Sequence, residues 1–130
     1  MSRLIATIAF TAFFLLIGPA NAEWVHIATS NEGDAYYYDT KDIERYSDYN
    51  RVWIRCDYAQ PTESGYTRYV SQEDFHKTQR MSRRLAIAYF KNDEKMASQT
   101  YPEPDWEAIG WSARVSVLFS VWKKCSRLEV

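Results

Sequence analysis

Four cations fall within eight positions, at Lys77, Arg80, Arg83 and Arg84. Such a run is an electrostatic contact for an acidic partner, either a sulfated glycan or an acidic stretch of another protein. The competing reading, which takes precedence for a charge run, is the solvated face of a strand, answering the acids between Asp34 and Asp48 in the same molecule or in a second copy. Tyr36, Tyr37 and Tyr38 form a second feature. Tyrosine suits interfaces, so Tyr36 and Tyr38 are a candidate contact surface, with the core as the competing destination. His26 and His76 have no cysteine, serine motif or paired carboxylate beside them to specify a reaction. No nucleophile elbow, phosphate loop or HExxH motif occurs. Two cysteines and two scattered histidines are too few for a zinc site. The expectation is a non-enzymatic protein that uses no cofactor and no metal.

The remaining reactive pair is Cys56 and Cys125, and its chemistry depends on compartment. Arg3 followed by the apolar run Leu4 to Gly18, Pro19 and the small-x-small triplet Ala20-Asn21-Ala22 reads as a secretory signal peptide over residues 1–22. The run is shorter than the roughly 20 apolar residues of a membrane span. No cysteine follows it to carry a lipid. The expected mature chain starts at Glu23, in the periplasm, on the outer cell surface or secreted, with no transmembrane segment left after cleavage. In an oxidising compartment an isolated cysteine pair most simply forms one disulfide, here Cys56 to Cys125. On the chain-entropy view such a bridge would stabilise by about 4 kcal/mol.

Cleavage leaves 108 residues, one domain spanning 23–130 with one modest core. The leader removes only Arg3 from 16 basic and 17 acidic residues, which leaves a slightly acidic chain. Nucleic-acid binding wants a strongly basic face and is not expected. Ten Tyr, five Trp and six Phe favour a β-rich secreted domain.

The elements that must position these residues read as an antiparallel meander of about six strands. Strands are expected at 24–29, 35–39 and 51–58, briefly at 66–69, along 75–90 as one long strand or two, at 96–101 and at 106–109. Along 51–58, Val52, Ile54, Cys56 and Tyr58 share one face while Trp53, Arg55 and Asp57 share the other. The last segment is ambiguous. Ser112 can cap a helix over residues 113–126 whose stripe is Val117, Leu118, Val121, Trp122 and Cys125. The competing strand alternates Val115, Val117, Phe119 and Val121. Placing Cys56 and Cys125 on two apolar faces gives an α+β domain with the helix tied onto the sheet.

The order of landmarks resembles the surface-adhesin protein E family. They are Trp24 after the leader, Ala35-Tyr36-Tyr37-Tyr38-Asp39, Ile43, Val52-Trp53-Ile54, Tyr58-Ala59-Gln60-Pro61, the basic stretch from Lys77 to Arg84, the turn from Tyr89 to Lys95, Trp106 and a C-terminal cysteine. The resemblance implies a small antiparallel sheet with a disulfide-tethered C-terminal helix, and adhesion to host extracellular-matrix or plasma proteins. One departure stands out: the family's first cysteine falls near Phe75-His76-Lys77, where this chain has none. Two functions follow as expectations: an adhesin-like envelope binding protein, which strand-edge pairing could make a homodimer, or a periplasmic accessory protein of the same fold without host contact.

Overall fold

A computed structural model of the protein describes residues 18–110 and 116–128. The apolar run of the expected leader, up to residue 17, and the Ser112 cap lie outside the described residues. One antiparallel sheet holds eight strands: β1 (Trp24–Thr29), β2 (Ala35–Asp39), β3 (Glu44–Arg45), β4 (Tyr49–Asp57), β5 (Arg68–His76), β6 (Met81–Lys91), β7 (Glu94–Thr100) and β8 (Glu107–Ala108). One helix, α1 (Ser116–Cys125), follows. The main path runs β1-β2-β4-β5-β6-β7, while the two-residue strands β3 and β8 flank β4 and β6. The expected count of about six is therefore corrected to eight; β8 falls inside the strand expected at 106–109, whereas the two-residue β3 carries no alternation to read. The turn between β6 and β7 is a two-residue hairpin, Asn92-Asp93, with Asn92 at φ 57°. Asparagine tolerates that left-handed backbone.

Strand alternation sorts the side chains into two faces. On β4, Asn50, Val52, Ile54 and Cys56 point inward and are buried, while Tyr49, Arg51, Trp53, Arg55 and Asp57 point outward and are half-buried. The register carries this sorting across the sheet. Tyr36 pairs Cys56, Tyr38 pairs Ile54, and Cys56 pairs Tyr69.

The inward face is covered by α1. Val121, Trp122 and Cys125 are buried against Tyr38, Val52, Ile54, Phe75 and Ile109, and Val117 is buried as well. Each large apolar side chain removed from water contributes about 1.5–3 kcal/mol. The helix wins over the strand because a strand would send Trp122 to the opposite side from Val121 and Cys125. Leu118 departs from the expected stripe and is 39% exposed. Polar bonds fix the seat of α1. Trp122 Nε1 donates to the His76 carbonyl at 2.9 Å. The amide of Asn50, fully buried, donates to the carbonyls of Cys125 at 3.0 Å and Leu128 at 3.3 Å. Lys123 and Lys124 in the last turn favour the negative end of the helix dipole.

The expected Cys56–Cys125 disulfide is corrected: both are free, buried thiols. The register shows why. Cys125 lies where Asn50 and Phe75 face each other. Cys56 is six residues further along β4, about 20 Å at the rise of a strand, beyond the reach of a bridge. It belongs to a second cluster with Tyr69, Ile87, Tyr36, Tyr58 and Tyr89. The helix keeps its place on the sheet without the tether. Burial pushes the Cys56 thiol up to about 12, assisted by neighbouring Asp34 and Asp57, and pushes Cys125 well above its ordinary range.

Two outcomes are expected. Thiol reagent at neutral pH should label neither cysteine in the folded protein and both in denaturant, with one unchanged band on non-reducing gels. Asn50→Ala should lower stability by about 2 kcal/mol in urea melts, because carbonyls at the helix end lose their donor.

Candidate functional site

β4 supplies the centre of the outward face through its file Tyr49-Arg51-Trp53-Arg55-Asp57. Register places Arg51 opposite Asp74 and Asp74 opposite Arg83, so three strands deliver one carboxylate between two guanidinium groups. Arg51 Nε meets Asp74 Oδ1 at 2.8 Å and Arg83 Nε meets Oδ2 at 2.7 Å, with Asp74 fully buried. The guanidinium groups also lie on aromatic faces. Arg83 sits 4.1 Å from the centroid of Trp106 and 4.9 Å from that of Tyr49, and Arg51 covers Tyr46 and Tyr49. Tyr46 stacks on Tyr49, and Trp106 meets both Tyr49 and His76 edge to face. The Asp74 triplet carries one positive charge in excess.

A second group repeats the scheme at the other end of β4. Arg55 lies 4.8 Å over Tyr37 and 5.9 Å from Trp24, and binds Asp57, which Arg68 also contacts at 2.9 Å. Burial works to raise the Asp57 pKa, but hydrogen bonds from Arg55 and Arg68 prevail and hold it below its ordinary 3.8. Across the sheet from Arg55 and Trp53 the register sets the buried Val70, Ala88 and Ala86. Among the described residues, no helix lies on this face.

The inward face has a cavity of about 680 Å³ bounded by the described residues. Its walls include Tyr36, Tyr69, Glu73, Arg84, Tyr101 and Leu118. Ser71 donates to Glu73, and Arg84 approaches Glu73 at 3.5 Å and lies over Tyr69. Burial raises the Tyr69 hydroxyl pKa well above its usual value, so it stays protonated and polar at neutral pH.

The structure separates the basic run rather than assembling it. Lys77 donates to the Tyr46 carbonyl. Arg80 donates to the Ile109 carbonyl at 2.9 Å and so holds the arm after β7. Arg83 pairs with Asp74 on the outward face, while Arg84 lies opposite Glu73 on the inward one. Tyr36 and Tyr38 both take the inward face, Tyr38 as core and Tyr36 beside Cys56. Tyr37, by contrast, is outward under Arg55. The histidines are engaged locally: His26 Nε2 contacts Thr29 Oγ1 at 2.8 Å, and His76 Nδ1 accepts from the Gln79 amide at 3.1 Å. Among the described residues, no group of three His, Cys, Asp or Glu is placed to hold a metal ion. Sequence reasoning missed Tyr46, Tyr49, Arg51, Asp74 and Trp106. The outward alternation of Trp53, Arg55 and Asp57 was the available signal, and extending it two strand positions earlier would have added Tyr49 and Arg51.

A family model described as surface-adhesin protein E matches residues 24–123, and the chain belongs to that family. No curated protein and no solved structure matches it. No described helix is long and apolar enough to cross a membrane.

Asp74→Ala removes the carboxylate between two half-buried guanidinium groups of the outward face and should cost about 3–5 kcal/mol in denaturant titration. The more exposed Asp57 should cost under about 1 kcal/mol when changed to Asn. Its depressed pKa gives the folded state an advantage present above pH 3.8 and lost as pH falls below it, so Asp57→Asn should flatten that part of the acid-unfolding curve.

Proposed function

We propose that this member of the surface-adhesin protein E family is a non-enzymatic, adhesin-like binding protein of the cell envelope. It docks a protein partner on the outward face of its sheet. The observation that carries this reading is the arginine–aromatic lattice around Asp74. Arg, Trp and Tyr dominate the energetics of protein interfaces. Here the guanidinium groups are held by a buried carboxylate and by stacked rings, so little side-chain entropy remains to be lost on docking. The excess positive charge of the triplet fits a partner surface presenting carboxylates and backbone carbonyls.

Family membership supports an exported protein, and the leader over residues 1–22 supplies the route. Host extracellular-matrix and plasma proteins are the partner class that the adhesin description favours. A sulfated glycan would engage the same cations without needing the rings, which separates the two experimentally.

Binding to immobilised matrix proteins and to heparin is the test, with near-UV circular dichroism to confirm each fold. Trp106→Ala and Tyr46→Ala should each weaken retention on the protein partner by about 30-fold, the effect of losing an interface anchor worth about 2 kcal/mol. Neutralising Lys77, Arg80 and Arg84 should leave it within a few-fold. Retention unchanged by either aromatic variant would remove the outward face from consideration. Loss confined to heparin would assign the face to glycan instead.

A further inference from the structure

Asp39 ends β2 and is fully buried. Its Oδ1 accepts the backbone N–H of Glu23 at 2.9 Å and that of Lys41 at 3.0 Å. Its Oδ2 is buried and has no hydrogen-bond partner among the described residues. A carboxylate in that position, with neutral donors on one oxygen and nothing on the other, lacks the counter-charge that burial demands. Glu23 itself is pinned although it precedes β1. Its carbonyl accepts from the Thr40 amide at 3.0 Å, and its Oε1 accepts from Thr40 Oγ1 at 2.9 Å. Immediately before it stand the exposed Ala20 and Asn21, then Ala22.

We propose that the Ala22–Glu23 bond is a processing site, and that the α-ammonium group released there is the counter-ion of Asp39. The step is a hydrolysis by a peptidase of the signal-peptidase class. Water supplies oxygen to the Ala22 carbonyl, the C–N bond breaks, and Ala22 leaves as a carboxylate. The Glu23 nitrogen gains protons to become an ammonium. A nitrogen that offered one neutral N–H to Oδ1 then offers three donors and a charge, enough to serve Oδ2 as well. Cleavage one residue earlier would put the charge a full residue away from the carboxylate. The leader-bearing chain is thus the weaker fold, which keeps it compliant for export, and removal of the leader tightens it. This inference rests on the export part of the proposed function and is independent of the docking face.

All described strands and the helix lie within residues 24–125, so chains starting at Glu23, Ala22 or Asn21 can be compared by thermal melting. The Glu23 chain should melt about 4–8 °C above the other two. Asp39→Asn should erase the difference. Equal melting of the three chains, or a difference that survives Asp39→Asn, overturns the ion pair. Should Asp39→Asn fail to fold, amine acylation decides: the terminal amine of the Glu23 chain should label several-fold more slowly than that of the Ala22 chain, and equal rates overturn the proposal. Mass mapping of the exported protein should find Glu23 as its first residue. A different first residue removes the processing site while leaving the binding experiments untouched.

Discussion

An open sheet with one apolar face must have that face covered, and here a ten-residue helix does it, held by hydrogen bonds in place of a covalent link. The buried Asn50 amide reaches the carbonyls where α1 ends, and Trp122 anchors the same turn to the His76 carbonyl. These bonds matter more than their number suggests. The last carbonyls of a helix have no internal partner, and here they end beside the buried Cys125 and Ser126. A donor must come from the sheet, and Asn50 is the inward residue of β4 opposite Phe75 that can provide it. Orientation of the helix, closure of the core and the position of the cavity all follow from that contact.

The outward face obeys a different rule. With no described helix to shield it, its large residues shield one another. Asp74 reaches full burial only because Arg51 and Arg83 close over it and the rings of Tyr49 and Trp106 close over Arg83. Guanidinium groups tolerate this arrangement because they are flat, weakly hydrated and able to bond at the edge while stacking on the face. The same arrangement leaves the surface rigid before any partner arrives.

How far the sequence reveals all this varies by element. β4 was legible because each inward position but one is apolar and each outward one is charged or aromatic. The first two strands and the helix stripe were legible as well, with Leu118 as the exception to the stripe. β5 was not, beyond a short piece at 66–69. Its inward residues alternate Tyr69, Ser71, Glu73 and Phe75, and its most buried acid, Asp74, faces outward. Polar residues inside and a hidden carboxylate outside invert the pattern that periodicity relies on. The basic run misled for a related reason. A bulge in the β5–β6 pairing follows Arg83 and Arg84, and alternation sends these neighbours to opposite faces, so proximity in sequence did not mean a shared patch. The disulfide expectation failed on register, a quantity that burial patterns on two separate elements do not contain.

Length explains why β5 carries polar residues inward at all. A helix of ten residues is about 15 Å long, whereas six strands side by side span about 24 Å. α1 lies over the β1 side of the sheet, so the inward face of β5 and β6 receives only partial cover. An all-apolar surface there would stand open to water. Tyrosines answer this constraint, since each buries a ring and keeps a hydroxyl for water or a neighbour, and Tyr36, Tyr69, Tyr89 and Tyr101 gather in this region. Glu73 and Arg84 answer it by pairing with each other, with Ser71 on the acid and Tyr69 under the base. The cavity is therefore where the helix runs out, and its polar walls are what a sheet of this width presents to water under a helix of this length.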